Sequence, residues 1–168
     1  MGFLVGSAEC LPCPCCQGVL ELFGRRRRGQ ILGSGEKRWL LIRRLHCADC
    51  NKIHHELPDV LVPYKRHEAQ SIEQVIENRE SASVAADEST LNRWRAWFAG
   101  WAPYACGCLE ALRQRFSLRV EASSSPTSSA LRGLGRYVGN AGGWLARTVR
   151  PIANAHLYAA TRSAWMST

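Results

Sequence analysis

Two short stretches, CPCCQG at Cys13–Gly18 and HCADCNK at His46–Lys52, each hold a Cys-x-x-Cys turn, and 30 residues separate one turn from the other. The text between them reads as GVLELF, then GRRRRGQILGSGE, then KRWLLIRRLH. Two apolar, strand-like runs around a basic, glycine-bearing stretch predict a long hairpin. Its ends would then carry the two cysteine turns side by side. Zinc takes four thiolates in a tetrahedron at about 2.3 Å, and a Cys-x-x-Cys turn aims two sulfurs at one point. Cys13, Cys16, Cys47 and Cys50 are therefore the candidate ligands of a structural Zn2+. Register at the first turn is open, because CLPCPCC also offers Cys10 with Cys13. Gly18 favours Cys13 with Cys16 by letting the chain curl beneath the metal. Cys10 and Cys15 are then spare, and His46 is an outside candidate for a ligand or a supporting role.

Working outward, KIHHEL supplies a third short strand, on which His54 and His55 alternate so that at most one faces the metal. PDVLVP, with two prolines that oppose helix, ends the β part near Pro63. EAQSIEQVIENR places Ile72, Val75 and Ile76 at helical spacing. Ser81–Ala86 reads as a short helix. Asp87 or Ser89 can cap a longer one toward Trp101, with Leu91, Trp94, Phe98 and Trp101 on one face. Another helix is expected over 109–120, then a Ser-rich, proline-broken linker, EASSSPTSSA, and a tail of two or three short helices. Cys106 and Cys108 fit a core or a tight turn better than a ligand pair. The expected layout is α+β: a β zinc ribbon over 8–66, a helix-turn-helix-like region over 67–120, the linker over 121–130 and a C-terminal helical segment over 131–168.

The chain has 168 residues and a formal charge of +8, with basic ends flanking an acidic middle. Such a balance suits a polyanionic partner. The start lacks the pattern of a secretory signal and the myristoylation motif, and no apolar run reaches about 18 residues. A cytoplasmic protein with no membrane partner is expected. In a reducing compartment, metal binding explains paired cysteines better than disulfides do.

Arg25, Arg26, Arg27 and Arg28 are expected at the hairpin tip, where guanidinium groups can grip phosphates in pairs of hydrogen bonds. Lys37, Arg38, Arg43, Arg44, Lys65 and Arg66 add to the same basic module. In DESTLNRWRAWF, a capped helix opens with Ser89, Thr90, Asn92 and Arg93, the residue types a major-groove reader presents at its N-terminus. Asp87 and Glu88 suit the helix dipole but oppose phosphate. Double-stranded DNA is the expected partner.

CPCC, IRRLHCADCNKIHHELPDVLVPYKRH, SIEQVI, ESTLNRWRAWF and GWLARTVRPIANAH together resemble a bacterial family of small proteins carrying a domain of unknown function, numbered 6431. The likeness spans roughly residues 10–165. The N-terminal half is also similar to the zinc-ribbon and helix-turn-helix front end of insertion-sequence transposases. That resemblance implies zinc at Cys13, Cys16, Cys47 and Cys50, and a helix from Ser89 to Phe98 that enters DNA. It does not extend to catalysis: strand transfer needs three spaced carboxylates on an RNase H-like scaffold, and after Gly100 there are only Glu110 and Glu121. No enzyme activity and no small-molecule substrate are expected. Two other readings stand beside the first. One is an adaptor whose zinc ribbon is purely structural and whose Trp-rich helices dock on a transposition or transcription enzyme. The other is a ribbon that binds RNA.

Overall fold

The computed structural model describes residues 2–5, 10–78, 83–118, 129–158 and 163–165. Of the expected linker over 121–130, all but Ser129 and Ala130 lies outside the described residues.

The layout is α+β, as expected. Strand β1 is Gly2–Val5, β2 Leu20–Ile31, β3 Lys37–Cys47 and β4 Lys52–Leu57. The hairpin of β2 and β3 runs from Leu20 opposite Cys47 to Ile31 opposite Lys37, and β4 lies antiparallel against Arg44–Cys47 of β3. β1 pairs in parallel with Trp39–Ile42 of β3, so β1 and β4 share one edge of that strand. A short strand late in the chain, Ser163–Trp165, pairs in parallel with β4 and is β5 here.

The hairpin departs from expectation at its tip. Arg25, Arg26, Arg27 and Arg28 are not in the turn; they lie inside β2, opposite Arg43, Ile42, Leu41 and Leu40. The turn falls later, at Leu32–Glu36, closed by Leu32 N–H to the Glu36 carbonyl and by Gly35 N–H to the Leu32 carbonyl. Gly35 has φ +87°, a conformation that favours glycine. The strand can run that far because its end is tied down: Ile31 N–H donates to the Arg66 carbonyl and Gln30 Nε2 to the Val60 carbonyl. Gly29 serves packing instead of turning, since a Cβ there would sit 3.4 Å from the Trp39 ring.

Helix α1 is Ala69–Glu77, with Ile72 and Val75 buried as the periodicity requires. The short helix expected over Ser81–Ala86 does not form in its described part. Ser83–Ala86 is irregular, with Ala85 N–H donating to the Gly33 carbonyl across the hairpin turn, so that amide is used in tertiary bonding. Two expected helices are instead one: α2 runs Glu88–Arg115 through Pro103. Leu91, Trp94, Phe98, Ala102, Ala105, Cys108, Leu109 and Leu112 form one buried stripe across the proline, while Pro103 itself faces solvent. Burial of that stripe outweighs the hydrogen bond that proline removes. Residues 78–87 separate α1 from α2, a longer connection than the three- or four-residue turn of a helix-turn-helix. Among the described residues of the tail lie two helices, α3 Ala130–Val138 and α4 Trp144–Asn154.

One apolar core joins Leu40, Ile42 and Leu57 of the sheet to all four helices, with Ile72, Phe98, Leu134 and Trp144 among its members. Polar bonds orient its parts. Glu73 of α1 is almost wholly buried, yet its carboxylate accepts N–H bonds from Gly143 and Leu145 at 2.9 and 2.7 Å, occupying the otherwise unpaired amides that open α4. Trp144 Nε1 donates to Glu77, one helical turn further along α1.

Candidate metal centre and nucleic-acid interface

Each cysteine turn ends in a residue with left-handed backbone: Gln17 at φ +65° after Cys16, and Asn51 at φ +54° after Cys50. This reversal, in two matching turns, folds each pair back upon itself. In the first, Gln17 N–H donates to the Cys13 carbonyl and Cys13 N–H to the Gly18 carbonyl, both at 2.8 Å. Gly18 and Lys52, two residues past the second cysteine of each turn, aim backbone N–H groups at Cys16 and Cys50. The second turn adds the Cys50 N–H directed at Cys47. Amides aimed at sulfur stabilise thiolate.

The hairpin then brings the turns together. Cys13 Sγ lies 3.6 Å from Cys50 Sγ, and Cys16 Sγ lies 3.4 Å from Cys47 Sγ. All four ligand atoms lie within 4.8 Å of one another. Sulfurs about 2.3 Å from a shared tetrahedral ion stand roughly 3.8 Å apart, whereas a disulfide needs about 2.05 Å. The four cysteines are free thiols with the spacing of a metal site. They form the Cys13/Cys16 register; Cys10 is exposed and outside the set. The role expected of Gly18 differs in detail. Left-handed backbone falls on Gln17, and a Cβ at Gly18 would strike the Asp49 carboxylate of the opposite turn. Hydrogen bonds and burial divide the thiols unequally: Cys47 is lowered to about 7, chiefly by the Cys50 amide, while burial pushes Cys50 up to about 12.

Of the histidine pair on β4, His54 faces this centre. Its ring is fully buried, with Nε2 3.3 Å from Cys13 Sγ, so it can support a thiolate by hydrogen bonding. Cys13, Cys15 and His54 also stand close enough to share an ion. Cys15 lies beside Lys52 Nζ at 3.5 Å and beside the His156 ring. His46 points elsewhere, bonding Asn51 at 3.0 Å and contacting the Phe23 ring. Cys106 and Cys108 lie within α2, the latter in the core.

Pairing sorts the basic residues by face. Arg26 opposite Ile42, Arg28 opposite Leu40, and Arg44 opposite His55 share one side of the sheet. Arg25, Arg26, Arg44, Ile53 and His55 line a cavity there. His55 is held below its usual range, first by burial and then by the charges of Arg26, Arg44 and Arg28. Arg28 Nη2 donates to the Lys65 carbonyl at 3.0 Å, and Arg28 is lowered by burial and by the charges of Arg26 and Arg66. Lys65 stacks on Trp97, its ammonium 4.3 Å from the ring centre, and is lowered by burial and by the charge of Arg93. Arg44, Arg26, Arg28, Arg66, Lys65 and Arg93 thus follow one another from the sheet to the start of α2.

Other candidates fall away from this row. Arg43 lies on the opposite face in a two-point ion pair with the buried carboxylate of Glu56. Arg27 on that face stacks over Trp39 at 5.0 Å. Lys37 and Arg38 border a second cavity, beside Arg28 and Arg66. At the α2 start, Ser89 and Thr90 bond Asp87, Arg93 bonds Thr90, and Asn92 accepts from Arg95. Three of the four expected readers thus serve the cap or one another, while Asn92 and Arg93 remain exposed.

Residues 13–94 match the model of a family described as a domain of unknown function (DUF6431), a span that runs from the first cysteine of the metal centre to Trp94 in α2. Neither the curated proteins nor the solved structures include a match. The likeness to transposase front ends gains no support from these comparisons. Among the described residues, no helix is long and apolar enough to cross a membrane.

Proposed function

We propose that the protein is a zinc-stabilised, non-enzymatic DNA-binding protein, associated with a mobile element or acting as a small regulator. Four thiolates suit zinc among the common divalent ions, and a closed four-sulfur set suits a structural site. The observation that carries the DNA reading is the row from Arg44 through Arg26, Arg28, Arg66 and Lys65 to Arg93. Burial and, after it, the charges of neighbouring arginines lower the proton affinity of His55, Arg28 and Lys65 along this row. Such a row is costly alone and relieved by phosphate.

An adaptor docking through tryptophans is less well supported. Trp144 is 2% exposed, and Trp97 lies against Trp101 and beneath Lys65. Titration of labelled duplex DNA by fluorescence anisotropy tests the proposal. Affinity should fall at least about 100-fold between about 50 and 200 mM salt, because each neutralised phosphate releases counterions. Arg26→Ala with Arg44→Ala should weaken binding, and Arg132→Ala on α3 should not. Absence of binding at the lowest salt would overturn the proposal.

A further inference from the structure

The β2–β3 register slips between Leu22 and Gly24, leaving Phe23 without a partner in a β-bulge. Bulges re-aim side chains, and this one turns out a ring that is 57% exposed beside the arginine cavity. Arg44 links the two features: its guanidinium lies 5.2 Å from the Phe23 ring centre and also lines the cavity with Arg25, Arg26 and His55. The His46 ring lies near Phe23 as well, tilted at 42° with 5.8 Å between centres. Glu21, opposite His46, marks the acidic border of the patch.

Resting on the proposal that this face binds nucleic acid, we infer that it holds an unpaired nucleotide, the phosphate between Arg26 and Arg44 and the base stacked on Phe23. A duplex offers its phosphates to the arginines but keeps its base faces stacked on one another. Phe23 can therefore act only on a strand whose bases are free. The row of cations accounts for affinity to any polyanion; an aromatic ring raised by a bulge at the head of that row adds a preference for single strands.

The test uses the full, metal-loaded chain at one low salt concentration. The probes are an oligothymidylate of about ten nucleotides, the matching oligouridylate, the same backbone without bases, and a duplex. Phe23→Ala should weaken binding of the thymidylate about 10-fold, the scale of one lost base–aromatic stack, and leave duplex binding unchanged. Phe23→Trp should keep the wild-type affinity. The base-free strand should bind wild type and Phe23→Ala alike. Comparison of thymidylate with uridylate shows whether DNA or RNA is preferred. Because Phe23 is exposed, metal content and circular dichroism should not change in either variant, which keeps the comparison interpretable. Equal losses on every probe, or no loss on the single strand, would overturn the stacking site while leaving the proposal that this face binds nucleic acid standing. Failure of every probe to bind would overturn both proposals.

Discussion

At one end of the sheet, near the cysteines, the buried apolar cluster is Leu45 with Leu11 and Leu20 packed against it. At the other end, Leu40 and Ile42 of the same strand enter a core that reaches every helix. One strand thus belongs to two structures of unequal means. Burial of a few leucines contributes only a few kcal/mol, less than the conformational entropy lost in ordering two turns and three strand ends. The cysteine end needs a cross-link, and the helical end does not. The comparison also bears on the proposed interface: the basic row runs along the part of the sheet that spans both regions, so an ion held by the four cysteines would fix the strands that present Arg26 and Arg44.

The sharpest way to break this contrast is to remove the ion. Chelation, or Cys47→Ser, should unfold the cysteine end, because a structural zinc contributes on the order of 10 kcal/mol to such modules. Hydrogen exchange should accelerate over β4 and the end of β3, while the helical circular dichroism signal falls far less. Unchanged exchange after chelation would show that the sheet end stands without metal. The converse perturbation strikes the core. Trp144 packs edge-on against Phe98 at 5.4 Å and bonds Glu77. Trp144→Ala should cost about 3–5 kcal/mol yet leave bound zinc per folded chain unchanged. Loss of metal in that variant would mean that the regions are coupled more tightly than their separate apolar clusters imply.

A third, smaller effect concerns the bond between α1 and α4. Glu73→Ala should destabilise by about 1–3 kcal/mol, since the buried N–H of Leu145 would lose its acceptor. Thermal denaturation of the metal-loaded protein measures it, and a change indistinguishable from zero would mean that water replaces the carboxylate.

The cysteine end was readable in the sequence because its signal is local: two turns of fixed spacing, two strand-like runs and a reason from chemistry for them to meet. The helix start at Asp87 was readable for the same reason. What the sequence hid depended on distant partners. Nothing near Arg25–Arg28 says that β2 continues past them; that follows from the bonds of Gln30 and Ile31 to Val60 and Arg66. Pro103 suggests a break that the apolar stripe on both sides overrides. Glu73 looks like an ordinary surface residue of an amphipathic helix until Gly143, seventy residues later, brings the start of α4 against it. The exposure of Phe23 beside Arg44 follows from a slip in pairing, which no pattern of residue types announces. The separation of Arg43 from Arg44 follows from strand alternation, with Glu56 deciding what the former does.

The smallest effect lies at the join between the basic row and α2, where Asp87 both caps the helix and faces cations. Its carboxyl is held down to about 2, first by the Ser89 hydroxyl, then by the Thr90 amide and the Thr90 hydroxyl. A carboxylate whose pKa is lower folded than unfolded stabilises the native state fully above its ordinary value of 3.8, and that contribution fades as pH falls toward 2. Asp87→Asn keeps an acceptor for the Thr90 amide but cannot ionise. Melting curves for the two proteins should therefore run close together at neutral pH and differ in slope below about pH 4. Asp87→Ala should lower the melting temperature slightly at neutral pH as well, through the lost cap. Binding gives an opposite sign: with the negative charge gone beside Arg93, Asp87→Asn should hold duplex DNA slightly more tightly at low salt. Unchanged binding by Asp87→Asn, with an intact helix, would place the DNA away from the start of α2 and confine the interface to the sheet.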